Sequence, residues 1–181
     1  RLGLVRSVLR PAARMASAPA LRAYVGIGAN LADPRAAVLQ AIERLRPLGL
    51  VAASSLYRSA PVDAQGPDFI NAVAAIDTPL APLALLDALQ AIEADFGRER
   101  PYRNAPRTLD LDLLLHGHAA MTTERLTLPH PRLHQRAFVL QPLLELAPNL
   151  QAPGLGTLSS HLTNTLDQAI ERLVPPPTMP P

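Results

Sequence analysis

Apolar and polar residues along the chain follow two rhythms, one repeating every two residues and one every three to four, and their order predicts the elements. Residues 23–30, AYVGIGAN, begin as a short β-prone run and end in turn formers, so a strand and then a loop are expected. Asp33 before Pro34 fits an N-cap with proline at the first helical position, and Val38, Leu39, Ile42 and Leu45 keep helical spacing up to Pro47. Residues 50–59, LVAASSLYRS, predict a second strand and residues 69–77, FINAVAAID, a third. The loop between them, 60–68, is too long for a tight hairpin and is a candidate substrate loop.

Leu83, Leu86, Leu89 and Ile92 recur every three residues, with Leu85 and Phe96 widening the apolar side, so 81–96 read as an amphipathic helix ending at Gly97. Residues 97–107 form a polar, arginine-rich loop, and 108–116, TLDLDLLLH, a strand in which apolar and acidic residues interleave. After a loop through LPHPRLHQR, residues 138–146 predict a helix bent near Pro142, and 158–173 a last helix. The order β-α-β-β-α-β predicts an α+β fold, a ferredoxin-like sandwich with an antiparallel sheet and extra C-terminal helices.

A length of 181 residues fits one domain, and no internal repeat is visible. The domain is expected over 23–173, between a disordered extension at 1–22 and a disordered proline-rich tail at 174–181. No window supplies the roughly 18 consecutive apolar residues of a spanning helix, so no membrane partner is expected. The absence of cysteine excludes disulfides, thiolate zinc sites and a cysteine nucleophile, and fits a reducing cytoplasm, the expected location. A monomer is the expected state.

All seventeen basic residues are arginine, so a Walker-type phosphate lysine, a Schiff base and a lysine general base are excluded together. Five arginines precede the first acid, Asp33, leaving twelve against fifteen acids in the remainder. The body is therefore mildly acidic despite a pI near 9.7, which argues against nucleic acid as a partner.

In a strand, Asp110 and Asp112 point to one side and Leu109, Leu111 and Leu113 to the other. Two adjacent carboxylates repel unless a cation neutralises them. Mg²⁺ typically takes one or two carboxylates and completes its shell with water and substrate phosphates. Arg98, Arg100, Arg103 and Arg107 lie just upstream, with only Glu99 among them, and guanidinium groups bind phosphate bidentately. The segment thus outlines a nucleoside-triphosphate site. His130, between two prolines and followed by Arg132 and Arg136, is a candidate phosphate donor. Aromatics are scarce, and Phe69 and Phe138 could stack on a flat heterocycle or simply fill the core.

The segment RNAPRTLDLDLL (103–114) resembles the signature of the 6-hydroxymethyl-7,8-dihydropterin pyrophosphokinases. AYVGIGANL, SSLYRSAPV, PDFINAV, IEADFGRER and TERLTLPHPRLHQRAFVLQPL are similar to further blocks of that family in the same order, so the resemblance covers 23–173. It implies a ferredoxin-like fold, two Mg²⁺ ions at Asp110 and Asp112, and transfer of the β,γ-pyrophosphoryl group of ATP to the pterin hydroxymethyl oxygen, giving AMP. By position it assigns ATP or product contacts to Gln90, Arg100, Arg103, Arg107, Arg125, Thr127, His130 and Arg136, and catalytic roles to Arg98, Arg107, Asp110 and Asp112. Glu93 also matches the active site. Ser59, Pro61, Val62, Phe69, Asn71 and Phe138 match the pterin pocket. The chain departs from the pattern at Ala60, Asn104 and Pro131, and in a 100–107 loop one residue short, all of which bear on loop closure and adenine packing.

Without the resemblance, two other functions fit the residues. A metal-dependent nucleotidyltransferase could use the same D-x-D strand, and would release pyrophosphate in place of AMP. An RNA-binding ferredoxin-like module would need exposed aromatics on its central strands, where this chain has Asp110 and Asp112.

Overall fold

The computed structural model of the chain describes residues 18–62, 65–97 and 109–173. The expected disorder at 1–17 and 174–181, and the arginine loop with Arg98, Arg100, Arg103, Asn104 and Arg107, lie outside the described residues.

Strand β1 (Leu21–Ala29) starts two residues before the expected domain boundary. Leu21 and Arg22 are already in register with Thr78 and Asp77, and the Arg22 guanidinium ion-pairs with Asp77, so these two residues of the expected extension belong to the sheet. Helix α1 (Pro34–Arg44) begins where Asp33 and Pro34 predict, the Asp33 carboxylate accepting from the Ala36 amide at 3.1 Å. The strand expected over 50–59 is divided into β2 (Leu50–Ala53) and β3 (Tyr57–Ser59). Both pair with β4 (Phe69–Thr78). Between them Ser54 competes for the partner strand, its amide donating to the Val73 carbonyl at 2.8 Å and its hydroxyl accepting from the Val73 amide at 2.9 Å. Residues 54–56 then oppose only 72–73, a bulge that bends the strand.

Helix α2 (Pro82–Gly97) leads to β5 (Asp110–His116). A small hairpin of β6 (Met121–Thr122) and β7 (Thr127–Leu128), which the sequence pattern does not predict, comes next. A 3₁₀ turn (Leu133–Gln135) precedes α3 (Ala137–Leu146), which accommodates Pro142 in its interior. A second hairpin pairs β8 (Gln151–Ala152) with β9 (Gly156–Thr157). The expected last helix over 158–173 is a correction: the chain forms a 3₁₀ helix (Leu158–Thr165), turns, and ends in strand β10 (Ile170–Arg172). Hydroxyls set the tighter winding, with Ser160, Thr163 and Thr165 each bonding the carbonyl three residues back. The open edge of β3 then captures 170–172 as a strand.

The main sheet runs β5-β1-β4 with β2 and β3 side by side on the far edge of β4 and β10 outside β3, every pair antiparallel. This is the strand order of a ferredoxin-like βαββαβ unit with one strand added. One face is covered by α1 and α2, where Val25, Ile27, Ile76, Leu85, Leu89 and Leu113 are almost wholly buried, each worth roughly 1.5–3 kcal/mol on transfer from water. The other face is covered by α3 and the 3₁₀ segments, through Val73, Leu140, Leu143 and Leu158. That second layer covers only half of its face, because α3 starts at Ala137 and leaves one end of the sheet open. No helix among the described residues is long and apolar enough to cross a membrane.

Candidate active site

The open end of the sheet carries the site. Along β5 Asp110 and Asp112 are exposed and Leu111 and Leu113 buried, as the alternation predicts. In register, Gly28 lies between Asn71 of β4 and Asp110 of β5, and Gly26 between Val73 and Asp112. The two glycines therefore form a floor without side chains, and the rows that flank it are about 10 Å apart, two strand spacings. A Cβ on Gly28 would come within 3.2 Å of Asn71 Oδ1 and 3.9 Å of the Phe69 ring, and one on Gly26 within 3.5 Å of Leu114.

Above this floor is a cavity of about 620 Å³, lined among others by Ser59, Val62, Phe69, Asn71, Arg136 and Phe138. Its walls mix apolar side chains with polar and charged ones, and two of the polar ones are tied together. Asn71 Nδ2 donates to Ser59 Oγ at 2.7 Å, both residues buried beside the floor. The Arg136 guanidinium sits over the Phe138 ring, 5.4 Å from its centroid, within cation–π range. Burial lowers the Arg136 pKa from its ordinary value, against the attraction of Asp112 and reinforced by the charge of Arg132.

A second cavity of about 370 Å³ opens on the outer side of β5, between α2 and the β6–β7 hairpin. Gln90, Glu93, Arg125, Thr127 and His130 line it. Arg125 reaches α2 from the hairpin, donating to Asp87 Oδ1 at 2.5 Å and to Gln90 Oε1 at 3.1 Å. His130 is anchored through its amide to the Leu114 carbonyl at 2.9 Å, and its Nδ1 accepts from the Arg132 amide at 3.1 Å. The ring proton therefore resides on Nε2 in the neutral form. Burial pulls the His130 pKa below 6.5, with Asp112 opposing and Arg136 and Arg132 assisting.

Asp110 and Asp112 line both cavities and are the residues the two have in common. Among the described residues no cluster of three histidine or acidic side chains could cage a metal by itself. A carboxylate pair on an exposed edge strand instead fits Mg²⁺, which leaves most of its shell to water and phosphate.

Most sequence-assigned residues fall into these two cavities. Ser59, Val62, Phe69, Asn71 and Phe138 line the first, and Gln90, Arg125, Thr127 and His130 the second. Pro61 lines a smaller adjoining cavity, and Arg136, grouped with the nucleotide contacts by resemblance, lines the first cavity. Gly26, Gly28, Arg132, Gln135 and Val139 also line the first cavity and were missed. The glycines had a readable signal, since Gly26 and Gly28 alternate with Val25 and Ile27 and so share a face. The others lie on a loop and a helix start whose approach to the sheet is a tertiary effect.

These features define a ferredoxin-like protein with a bipartite cleft astride an edge strand that bears paired carboxylates. Residues 24–148 match the model of the family described as 7,8-dihydro-6-hydroxymethylpterin-pyrophosphokinase. The chain belongs to that family. It is 52% identical over 156 residues to a 2-amino-4-hydroxy-6-hydroxymethyldihydropteridine pyrophosphokinase of Pseudomonas aeruginosa, covering 84% of this chain and 96% of the relative. It is 43% identical over 159 residues to the protein of the same name from Haemophilus influenzae, covering 86% and 99%. Its fold is similar to a crystal structure titled as HPPK-DHPS in complex with substrates, at a TM-score of 0.65 and 12% identity, covering 80% of this chain and 43% of that one. The chain thus spans less than half the length of that solved protein.

Proposed function

We propose that this chain transfers the pyrophosphoryl group of ATP to the hydroxymethyl oxygen of 6-hydroxymethyl-7,8-dihydropterin, giving AMP and the pterin diphosphate, a step of folate biosynthesis. The observation that carries the reading is the carboxylate pair shared by two cavities, one with a ring-bearing wall, the other polar with arginine, threonine and histidine donors. In this reading the pterin occupies the first cavity. Ser59 and Asn71 meet the polar edge of its amino-pyrimidinone ring, and Phe69 and Phe138 flank the ring faces. The triphosphate occupies the second cavity, where Gln90, Arg125, Thr127 and His130 donate to or orient it. Arg98, Arg100, Arg103 and Arg107 are proposed to complete the phosphate contacts. Arg136, beside Asp112, faces the junction of the two substrates.

The acceptor oxygen attacks the β-phosphorus in line. A new O–P bond forms, the bond from the β-phosphorus to the bridging oxygen breaks, that oxygen leaves with AMP, and the hydroxyl proton passes to solvent. Asp110 and Asp112 would hold Mg²⁺, two ions by resemblance, and the metal when bound offsets the polyphosphate charge. The protein's part is positioning. Without side chains, Gly26 and Gly28 leave room for the heterocycle between Phe69 and Phe138 with its hydroxymethyl arm toward Asp110 and Asp112, and His130 offers Nε2–H to a phosphate oxygen. The substrates are small molecules, and the proposed setting is a cytoplasmic monomer that needs neither nucleic acid nor membrane.

The test is an assay of ATP with the pterin alcohol, with and without Mg²⁺, on the natural chain and on Asp112→Ala. AMP should form only with metal present, and the variant should lose at least about a thousandfold in kcat, since it removes charge stabilisation at the reacting centre. Unchanged turnover in Asp112→Ala would overturn the metal assignment, and release of inorganic pyrophosphate in place of AMP would overturn the reaction.

A further inference from the structure

Phe138, the ring-bearing wall of the first cavity, is partly buried against the core cluster around α3. On its far side is a further cavity of about 270 Å³, lined by Pro61, Val62, Asp167 and Gln168 as well as by Phe138 itself. Bordered by two cavities, the ring depends for its position partly on its backbone as well as on its packing and on Arg136. Phe138 is the second residue of α3, and the start of that helix is weakly made from within. The Arg136 cap residue is extended and supplies no side-chain hydrogen bond, and no acidic residue occupies the first turn. The leading amides of a helix have no partner inside it.

The missing cap comes from thirty-one residues downstream. Gln168 Oε1 accepts from the Ala137 amide at 2.8 Å, and its Nε2 donates to the Gln135 carbonyl at 2.7 Å. One side-chain amide therefore closes around Arg136 and joins the 3₁₀ turn that carries Gln135 to the helix that carries Phe138. Gln168 is itself held, its amide donating to the Thr165 carbonyl at 3.0 Å, with Thr165 almost wholly buried. Two residues further on, Ile170 pairs with Ser59 of β3, on the opposite wall of the same cavity. The segment 165–172 thus grips both walls. It lies beyond the region matched by the family model, which ends at residue 148.

We propose that Gln168 is a positioning residue of the pterin pocket: by capping α3 and clasping the Gln135 carbonyl it fixes Arg136 and Phe138 over the glycine floor. This inference rests on the pterin occupying that cavity. Gln168 lines neither of the two cavities assigned to the substrates, so its effect is selective for the step that uses the wall it holds.

The test compares the natural chain with Gln168→Met, which keeps length and packing but neither donates nor accepts through its amide. At saturating Mg²⁺ and ATP, KM for the pterin should rise roughly five- to tenfold, the scale of one or two lost hydrogen bonds, while KM for ATP and kcat stay within about twofold. A purely structural residue would instead lower the folded fraction, reducing apparent kcat with both KM values unmoved. That outcome, or an unchanged pterin KM in a folded variant, would overturn the proposal. If Gln168→Met does not fold, Gln168→Asn, one methylene too short to reach both partners, carries the same expectation and the same refutation. Absence of any turnover of the pterin by the natural chain would instead refute the function on which this inference rests.

Discussion

At the scale of the residue, the site depends as much on two absent side chains as on two present ones. Asp110 and Asp112 were legible in the sequence because a strand's alternation leaves no other arrangement for D-x-D beside buried leucines. Alternation with Val25 and Ile27 puts Gly26 and Gly28 on one face, but a residue without a side chain has no polarity to say what that face does. Their role becomes visible once register puts them between Asn71 and Asp110 and between Val73 and Asp112. Gly28→Ala should therefore raise KM for the pterin about tenfold, the cost of a methyl that a shaped pocket does not accommodate, because the new Cβ would crowd Asn71 Oδ1 at 3.2 Å. KM for ATP should stay unchanged, and steady-state kinetics with each substrate varied in turn checks both.

At the scale of the element, local pattern succeeded where an element's partner lies in its own amphipathic face, and failed where a distant edge decided. Both helices of the βαββαβ unit were readable from leucine spacing and from the Asp33–Pro34 cap. The last helix was not, because Leu158, Leu162 and Leu166 keep helical spacing while the hydroxyls of 160, 163 and 165 and the edge of β3 impose another conformation. The bulge at 54–56 was hidden for a similar reason. Its polar groups and those of neighbouring strands are gathered by Glu145 of α3, which accepts from the Ser55 amide and hydroxyl, from the Tyr57 hydroxyl at 2.7 Å and from Arg172 at 3.0 Å. This cluster joins α3, β3 and β10. Burial alone would raise the Glu145 pKa, but the hydrogen bonds from Tyr57 and Ser55 and the Arg172 charge outweigh it and hold the carboxyl below its ordinary 4.5. A depressed folded-state pKa means that the unfolded chain takes up the proton first as acid is added. The contribution of Glu145 is therefore complete above about pH 4.5 and is lost as pH falls below it. Glu145→Gln should cost about 2 kcal/mol at neutral pH, and thermal melts from pH 7 down to 3.5 should show the gap between variant and natural chain narrowing only below pH 4.5.

At the scale of the whole molecule, a single antiparallel sheet separates a fully packed face from a half-covered one, and the uncovered half is the site. In the proposed reading the carboxylate pair of Asp110 and Asp112 leaves most of a Mg²⁺ shell to water and phosphate, so the metal is expected to arrive with the nucleotide. Chelation should leave the melting temperature of the ligand-free protein unchanged. Mg²⁺ and ATP together, at about a hundred times their dissociation constant, should raise stability by about 2.7 kcal/mol, and EDTA should abolish that increment in a thermal-shift measurement. The order of the chain adds a temporal consequence. The described carboxylates and donors of the nucleotide cavity are all in place by residue 131, yet the walls of the pterin cavity are gripped by 165–172. Since synthesis proceeds from the N-terminus at roughly 5–20 residues per second, in the proposed reading the nascent chain contains the nucleotide-cavity residues before the segment that grips the acceptor cavity. The last strand of the main sheet to be synthesised, β10, therefore joins the Ser59 wall of the acceptor cavity only after every described residue assigned to the nucleotide has been made.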